Sequence, residues 1–197
     1  MCAEIRDRLP LVDHETRISI VFLVDTSASM LGKPIDELNQ VLVKFCKILE
    51  KKWSAYADVS VISFGERVNI EVGFCPAKQY KAPVLSANGL TAMNEGILKA
   101  LDEIETRRHH YLEQGIGYYR PWLFVFTDGC PTDENLESQA ISILRHLIDN
   151  RKIIYIPMGI GINSDYEYMK KYYPEDWPDK RVFSIEDFSG FFDNFFR

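Results

Sequence analysis

The chain has 197 residues, is 46% hydrophobic and 13% aromatic, and carries a net charge of −6 with a pI of about 5.3. That length and apolar content suit one packed domain, and the negative balance argues against nonspecific nucleic-acid binding, which needs a positive field. Nothing approaches the apolar length of a bilayer span, and Met1–Asp13 lacks the continuous apolar core of a signal peptide, so a soluble cytoplasmic protein is expected.

In chain order, residues 1–16 are polar and read as a peripheral segment, with Leu9, Leu11 and Val12 packed on an edge. Residues 17–197 read as one domain. Arg17–Val24 is a β-branched and apolar run, the pattern of a strand buried on both faces. After the loop Asp25–Gly32, Pro34 fits a first helical turn. Ile35, Leu38, Val41, Leu42, Phe45, Ile48 and Leu49 then mark one apolar helical face ending near Trp53. Ala57–Phe64 and Glu66–Phe74 read as a hairpin whose second strand lies on or near an edge. Cys75–Leu90 reads as a connection, Met93–Arg108 as a second amphipathic helix, and His109–Arg120 as a long exposed loop.

Trp122–Phe126 is another buried strand, followed by a helix over Asn135–Asn150, which Thr132 and Asp133 would cap. Ile153–Ile160 is the next strand, Ser164–Tyr172 a short helix and Arg181–Ser184 a short last strand. Glu186–Phe196 closes the chain as a helix with Phe188, Phe191, Phe192 and Phe195 inward. Strands alternating with helices predict a doubly wound, three-layer α/β sandwich, its sheet mixed but mostly parallel, with helices on both faces.

Two apolar strands end in acids. The first runs into Asp25-Thr26-Ser27-Ala28-Ser29, the second into Thr127-Asp128-Gly129. In an extended segment Asp25, Ser27 and Ser29 point to one side, an oxygen-only cluster of the kind that hard divalent cations prefer. A capped turn is the plain alternative for this stretch alone. Open α/β sheets bind ligands beyond the carboxyl ends of their strands, where Asp128 and the loop Asn88-Gly89-Leu90-Thr91 would join the cluster. The four cysteines (Cys2, Cys46, Cys75, Cys130) are scattered without a C-x-x-C pair, which suggests neither a zinc site nor a redox pair. His109 and His110 are neighbours on a helix end and do not face one another as ligands would. Tyr166–Trp177 reads as an aromatic plug at the core's edge.

Together, Asp25-Thr26-Ser27-Ala28-Ser29, Thr91 and Thr127-Asp128-Gly129 resemble the von Willebrand factor A (VWA) family and its metal-ion-dependent adhesion site, D-x-S-x-S with a distant Thr and a later Asp. The resemblance implies a VWA, Rossmann-like domain. It implies that Asp25, Ser27, Ser29, Thr91 and Asp128 hold Mg²⁺ or Mn²⁺, the hydroxyls directly and the acids often through water. It also implies that a partner protein's Asp or Glu completes the coordination. Within the family, Asp25–Pro34 and Tyr118–Asp133 are similar to the bacterial TerY-like proteins of tellurite-resistance and stress-response operons, whose partners include kinase and phosphatase products. Cys130 departs from that pattern but removes no expected ligand. The competing reading is a Mg²⁺-dependent phosphoryl-transfer enzyme with Asp25 as nucleophile and Ser27 or Thr91 on the phosphate. No second acid stands two residues after Asp25 to act as general acid, and no G-x-x-x-x-G-K-[ST] loop is present.

Overall fold

The computed structural model describes residues 16–161 and 166–187. The predicted N-terminal packing and the closing phenylalanine helix lie outside these residues, apart from a 3₁₀ turn at Ile185–Asp187. The strands are β1 (Thr16–Asp25), β2 (Ala57–Phe64), β3 (Val68–Pro76), β4 (Gly117–Tyr118), β5 (Trp122–Thr127), β6 (Ile154–Gly159) and β7 (Phe183–Ser184). The helices are α1 (Lys33–Lys52), α2 (Met93–Glu113), α3 (Glu134–Asp149) and α4 (Tyr166–Lys170).

The strands form one sheet in the order β3-β2-β1-β5-β6-β7, and β4 adds to the start of β1. Every pairing is parallel except β2 with β3. This is the mixed, mostly parallel sheet expected. β1 is buried on both faces because helices cover both. Ile18, Ile20, Phe22 and Val24 pack with α1, with the Phe22 and Phe45 rings edge to face at 4.3 Å. Val21 and Leu23 pack on the other side with α2 and α3. β3 is the edge strand, and its three consecutive exposed residues Asn69–Glu71 fit that position.

The chain leaves β1 for β2 on one side and later returns to place β5 on the other. The strand order therefore reverses at β1, and such a switch point opens a crevice at the carboxyl ends of the strands. Asp25 and Thr127 end the two strands that border it.

Element ends differ from the sequence reading by a residue or two, as at β3. β3 runs Val68–Pro76, two residues beyond the expected end. More substantially, α2 continues through Glu113, where an exposed loop was expected. Tyr111 is the reason: it is buried, and its hydroxyl donates to Oδ2 of the buried Asp58 at 2.6 Å. Arg107 Nη2 donates to the same oxygen at 2.5 Å, so a charge-assisted bond anchors this end of the helix to β2. Gly117–Tyr118 then pairs with Thr16–Arg17.

Candidate metal centre at the strand ends

β1 ends with Asp25 fully buried. Its Oδ1 accepts from the Ser27 N–H at 2.8 Å, and its Oδ2 accepts from the Thr127 hydroxyl at 2.6 Å. Burial lifts the Asp25 carboxyl from 3.8 to about 6, the hydrogen bonds from Ser27 and Thr127 pull it back down, and the nearby Asp128 adds to the lift. Beyond Asp25 the backbone turns into a short 3₁₀ segment, Ala28–Met30. That turn keeps Ser27 and Ser29 together, with 2.9 Å between their hydroxyl oxygens. Ser29 donates onward to Asp128 Oδ1 at 2.8 Å. Four of the candidate residues thus form one contiguous set with a buried floor (Asp25, Ser27) and an accessible rim (Ser29, Asp128).

Thr91 arrives through backbone contacts. The Ala28 N–H donates to Gly89 O at 3.0 Å, and the Asn88 N–H donates to Thr26 O at 2.7 Å. Gly89 has φ +76°, and a Cβ there would stand 2.5 Å from Glu66 Cβ, so only glycine fits. Gly65 permits an equally close approach: a Cβ would meet Thr26 Oγ1 at 2.9 Å. Thr91 is then tied to the β5 loop. Its N–H donates to Thr132 Oγ1 at 3.2 Å, and the Thr132 N–H donates to Thr91 O at 2.9 Å.

Asp133 acts differently from expectation. It makes no side-chain cap for α3, the helix it precedes. Its carboxylate instead accepts from the Asn94 N–H at 3.2 Å and the Glu95 N–H at 2.8 Å, capping the start of α2. Thr127, Asn94 and Gly65 also escaped the sequence reading as parts of the site. Only Thr127, inside T-D-G, carried a local signal.

The donor set suits a hard cation. Two carboxylates and hydroxyls converge there, and among the described residues no Lys, Arg or His pairs with Asp25 or Asp128. Among those residues no group of three or more His, Cys, Asp or Glu offers an alternative metal site. Cys130 is exposed beside Gly129, and His109 pairs with Glu105 on an exposed helix surface.

A doubly wound sheet with an acid-and-hydroxyl cluster at its switch point defines a class of α/β domain with an oxygen-lined crevice at its strand ends. The profile of the von Willebrand factor type A domain matches residues 19–196, and the chain belongs to that family. It is 25% identical over 165 residues to the pig (Sus scrofa) inter-alpha-trypsin inhibitor heavy chain H4, covering 78% of this chain and 17% of that protein. The chain therefore spans about a sixth of that relative's length. It is similar in fold to proximal thread matrix protein 1 of the mussel byssus, solved with a zinc-occupied MIDAS motif. There the TM-score is 0.64 at 16% identity, over 94% of this chain and 46% of that one. Manganese-loaded TRAP from Plasmodium vivax gives a TM-score of 0.60 at 15% identity, over 93% of this chain and 75% of that one. Domains of this family are typically metal-dependent interaction or adhesion modules.

Proposed function

We propose that this domain is a non-enzymatic interaction module that grips an Asp or Glu of a partner protein through a divalent cation, Mg²⁺ or Mn²⁺. Ser27, Ser29 and Thr91 hold the cation through their hydroxyls, and Asp25 and Asp128 hold it directly or through water. A bound cation supplies positive charge with coordination positions open to a carboxylate. The observation that carries the reading is the uncompensated acid pair. Asp25 accepts from the Ser27 N–H, the Ser27 hydroxyl meets that of Ser29, and Ser29 donates to Asp128, with no basic side chain paired to either acid among the described residues.

The phosphoryl-transfer alternative is disfavoured by the same geometry. Asp25 is fully buried, with both carboxylate oxygens already accepting hydrogen bonds, so it presents no nucleophile to a substrate. Among the described residues the histidines, His109, His110 and His146, sit in the last turns of α2 and α3. A helix of α2's length spans about 30 Å, which leaves its histidines far from the cluster as proton carriers.

We further propose a cytoplasmic setting and a TerY-like role in a bacterial tellurite-resistance or stress-response system beside kinase or phosphatase partners, the TerY-like role resting on the runs Asp25–Pro34 and Tyr118–Asp133. No helix among the described residues is long and apolar enough to cross a membrane. The test is capture of interacting proteins on immobilised chain in Mg²⁺ and in EDTA, with Thr91→Ala as control. Partners should be retained only with the cation and only by the parent chain. Retention that persists unchanged in EDTA overturns the proposal, and Mg²⁺-dependent turnover of a phosphoprotein, lost in Asp25→Asn, would establish the enzyme instead.

A further inference from the structure

The start of α2 is clamped from outside. Ala92, at its N-cap position, offers no side-chain cap. The orphan N–H groups of Asn94 and Glu95 are satisfied by Asp133, which belongs to the loop that also carries Asp128. Asn94 reinforces the contact. It is fully buried, and its Nδ2 donates to Asp133 Oδ1 at 3.0 Å and to Asp133 O at 3.2 Å. Its remaining oxygen accepts from the Tyr172 hydroxyl at 2.6 Å, and Tyr172 is itself fully buried. Tyr172 thus brings the aromatic segment after α4 to the foot of the site.

Thr91 is joined to this clamp by its backbone, and its loop reaches the cluster side through Gly89, whose carbonyl accepts from the Ala28 N–H. Its backbone N–H and C=O are both engaged by Thr132, the residue before Asp133. Its own hydroxyl has no protein partner among the described residues. A threonine whose main chain is held at both ends while its hydroxyl stays uncommitted is a preset ligand. From this we infer that Asp133 and Asn94, backed by Tyr172, are positioning residues that lock the Thr91 loop to the Asp128 loop and so set the cation affinity of the site. This rests on the proposal that Thr91 binds the cation. Partners behind metal ligands orient them, and their loss typically weakens metal binding about 10- to 100-fold.

The test uses the full chain and Mn²⁺ as probe, with affinity measured by calorimetric titration and folding followed separately by thermal melts in EDTA. Asn94→Asp keeps the side chain's shape and the Tyr172 contact but sets a carboxylate against Asp133. It should weaken Mn²⁺ binding about 10-fold or more. Asp133→Asn should do the same, and the gentler Tyr172→Phe should weaken binding about 3-fold. Leu49→Val, in the core on the opposite face of the sheet, should lower the melting temperature yet leave Mn²⁺ affinity within about twofold, as expected for an uncoupled site. If Asn94 acts through Thr91, Thr91→Ala combined with Asn94→Asp should bind Mn²⁺ no more weakly than Thr91→Ala alone.

Parent-like Mn²⁺ affinity in Asn94→Asp, Asp133→Asn and Tyr172→Phe would overturn the inference and leave the metal-dependent function standing. Additive losses in the double variant would also overturn it. If the parent chain binds no Mn²⁺, the proposed function fails and the inference falls with it.

Discussion

Replacing Asp25 with asparagine should stabilise the cation-free protein at neutral pH while abolishing its response to cations. Asp25 is fully buried, and burial raises its carboxyl from 3.8 to about 6. The folded-state value lies above the unfolded one, so the native protein holds this proton more tightly. The destabilisation is absent below 3.8, grows as pH rises, and is complete above about 6. At about 1.4 kcal/mol per pH unit it reaches about 3 kcal/mol. Asparagine carries no charge and fits the same bonds. Its oxygen can accept from the Ser27 N–H, and its amide can donate to Thr127 Oγ1, whose proton can turn to Gly129 O at 3.3 Å. Urea melts in EDTA should therefore show Asp25→Asn more stable than the parent by up to about 3 kcal/mol near pH 8, with the gap closing near pH 4. Added Mg²⁺ should reverse the order, because it stabilises only the chain that binds it. The parent's response should itself shrink as pH falls through about 6, where a proton competes for Asp25. A variant less stable than the parent at pH 8 in EDTA, or a gap that ignores pH, would refute the reasoning.

Gly89→Ala should lower stability by about 1 kcal/mol or more and weaken Mn²⁺ binding, because the positive φ and the contact with Glu66 displace the Thr91 loop; melts in EDTA and titration with Mn²⁺ measure the two effects. Asp133→Ala uncaps α2 and should lower stability by about 0.5–2 kcal/mol even without a cation, as read from urea melts. Tyr111→Phe removes one donor from Asp58 and should lower stability by about 1–2 kcal/mol, an effect that Mg²⁺ leaves unchanged because α2 ends far from the cluster.

Much of the architecture is legible because it is written in local periodicity. β1 and β5 announce themselves as apolar runs stopped by an acid, and α1 shows its apolar face at three- and four-residue spacing. The candidate site is legible for a related reason: its acids and hydroxyls stand where strands end, and parallel neighbours bring strand ends together. What stayed hidden depends on contacts between distant segments. Asp133 stands one residue before α3 and reads as its cap, yet its carboxylate turns to α2, 39 residues back at Asn94. Nothing local marks Asn94 as the buried hub between Asp133 and Tyr172. Likewise the helix reads as ending at Arg108, with an exposed loop from His109. The helix continues because Tyr111 finds Asp58 across 53 residues of sequence.

The site also shows why a domain would keep an acid where it weakens the fold. A carboxylate at the end of the central strand, closed off from water and held by Ser27 and Thr127, has two ways to lose its charge problem: take up a proton or face a cation. Near neutral pH the proton is scarce for a group titrating at about 6, so the cation is the better partner. The rim differs from the floor. Ser29 is exposed and Asp128 half-buried, so the outer side of the cluster stays open to another molecule while Asp25 does not. A site buried throughout would hold a structural ion, and a site exposed throughout would hold none firmly. This gradient, from a rigid charged floor to an accessible hydroxyl-and-acid rim, is what a grip on an outside carboxylate requires. On the proposed function, the stability given up at Asp25 would be regained in the cation-bound state.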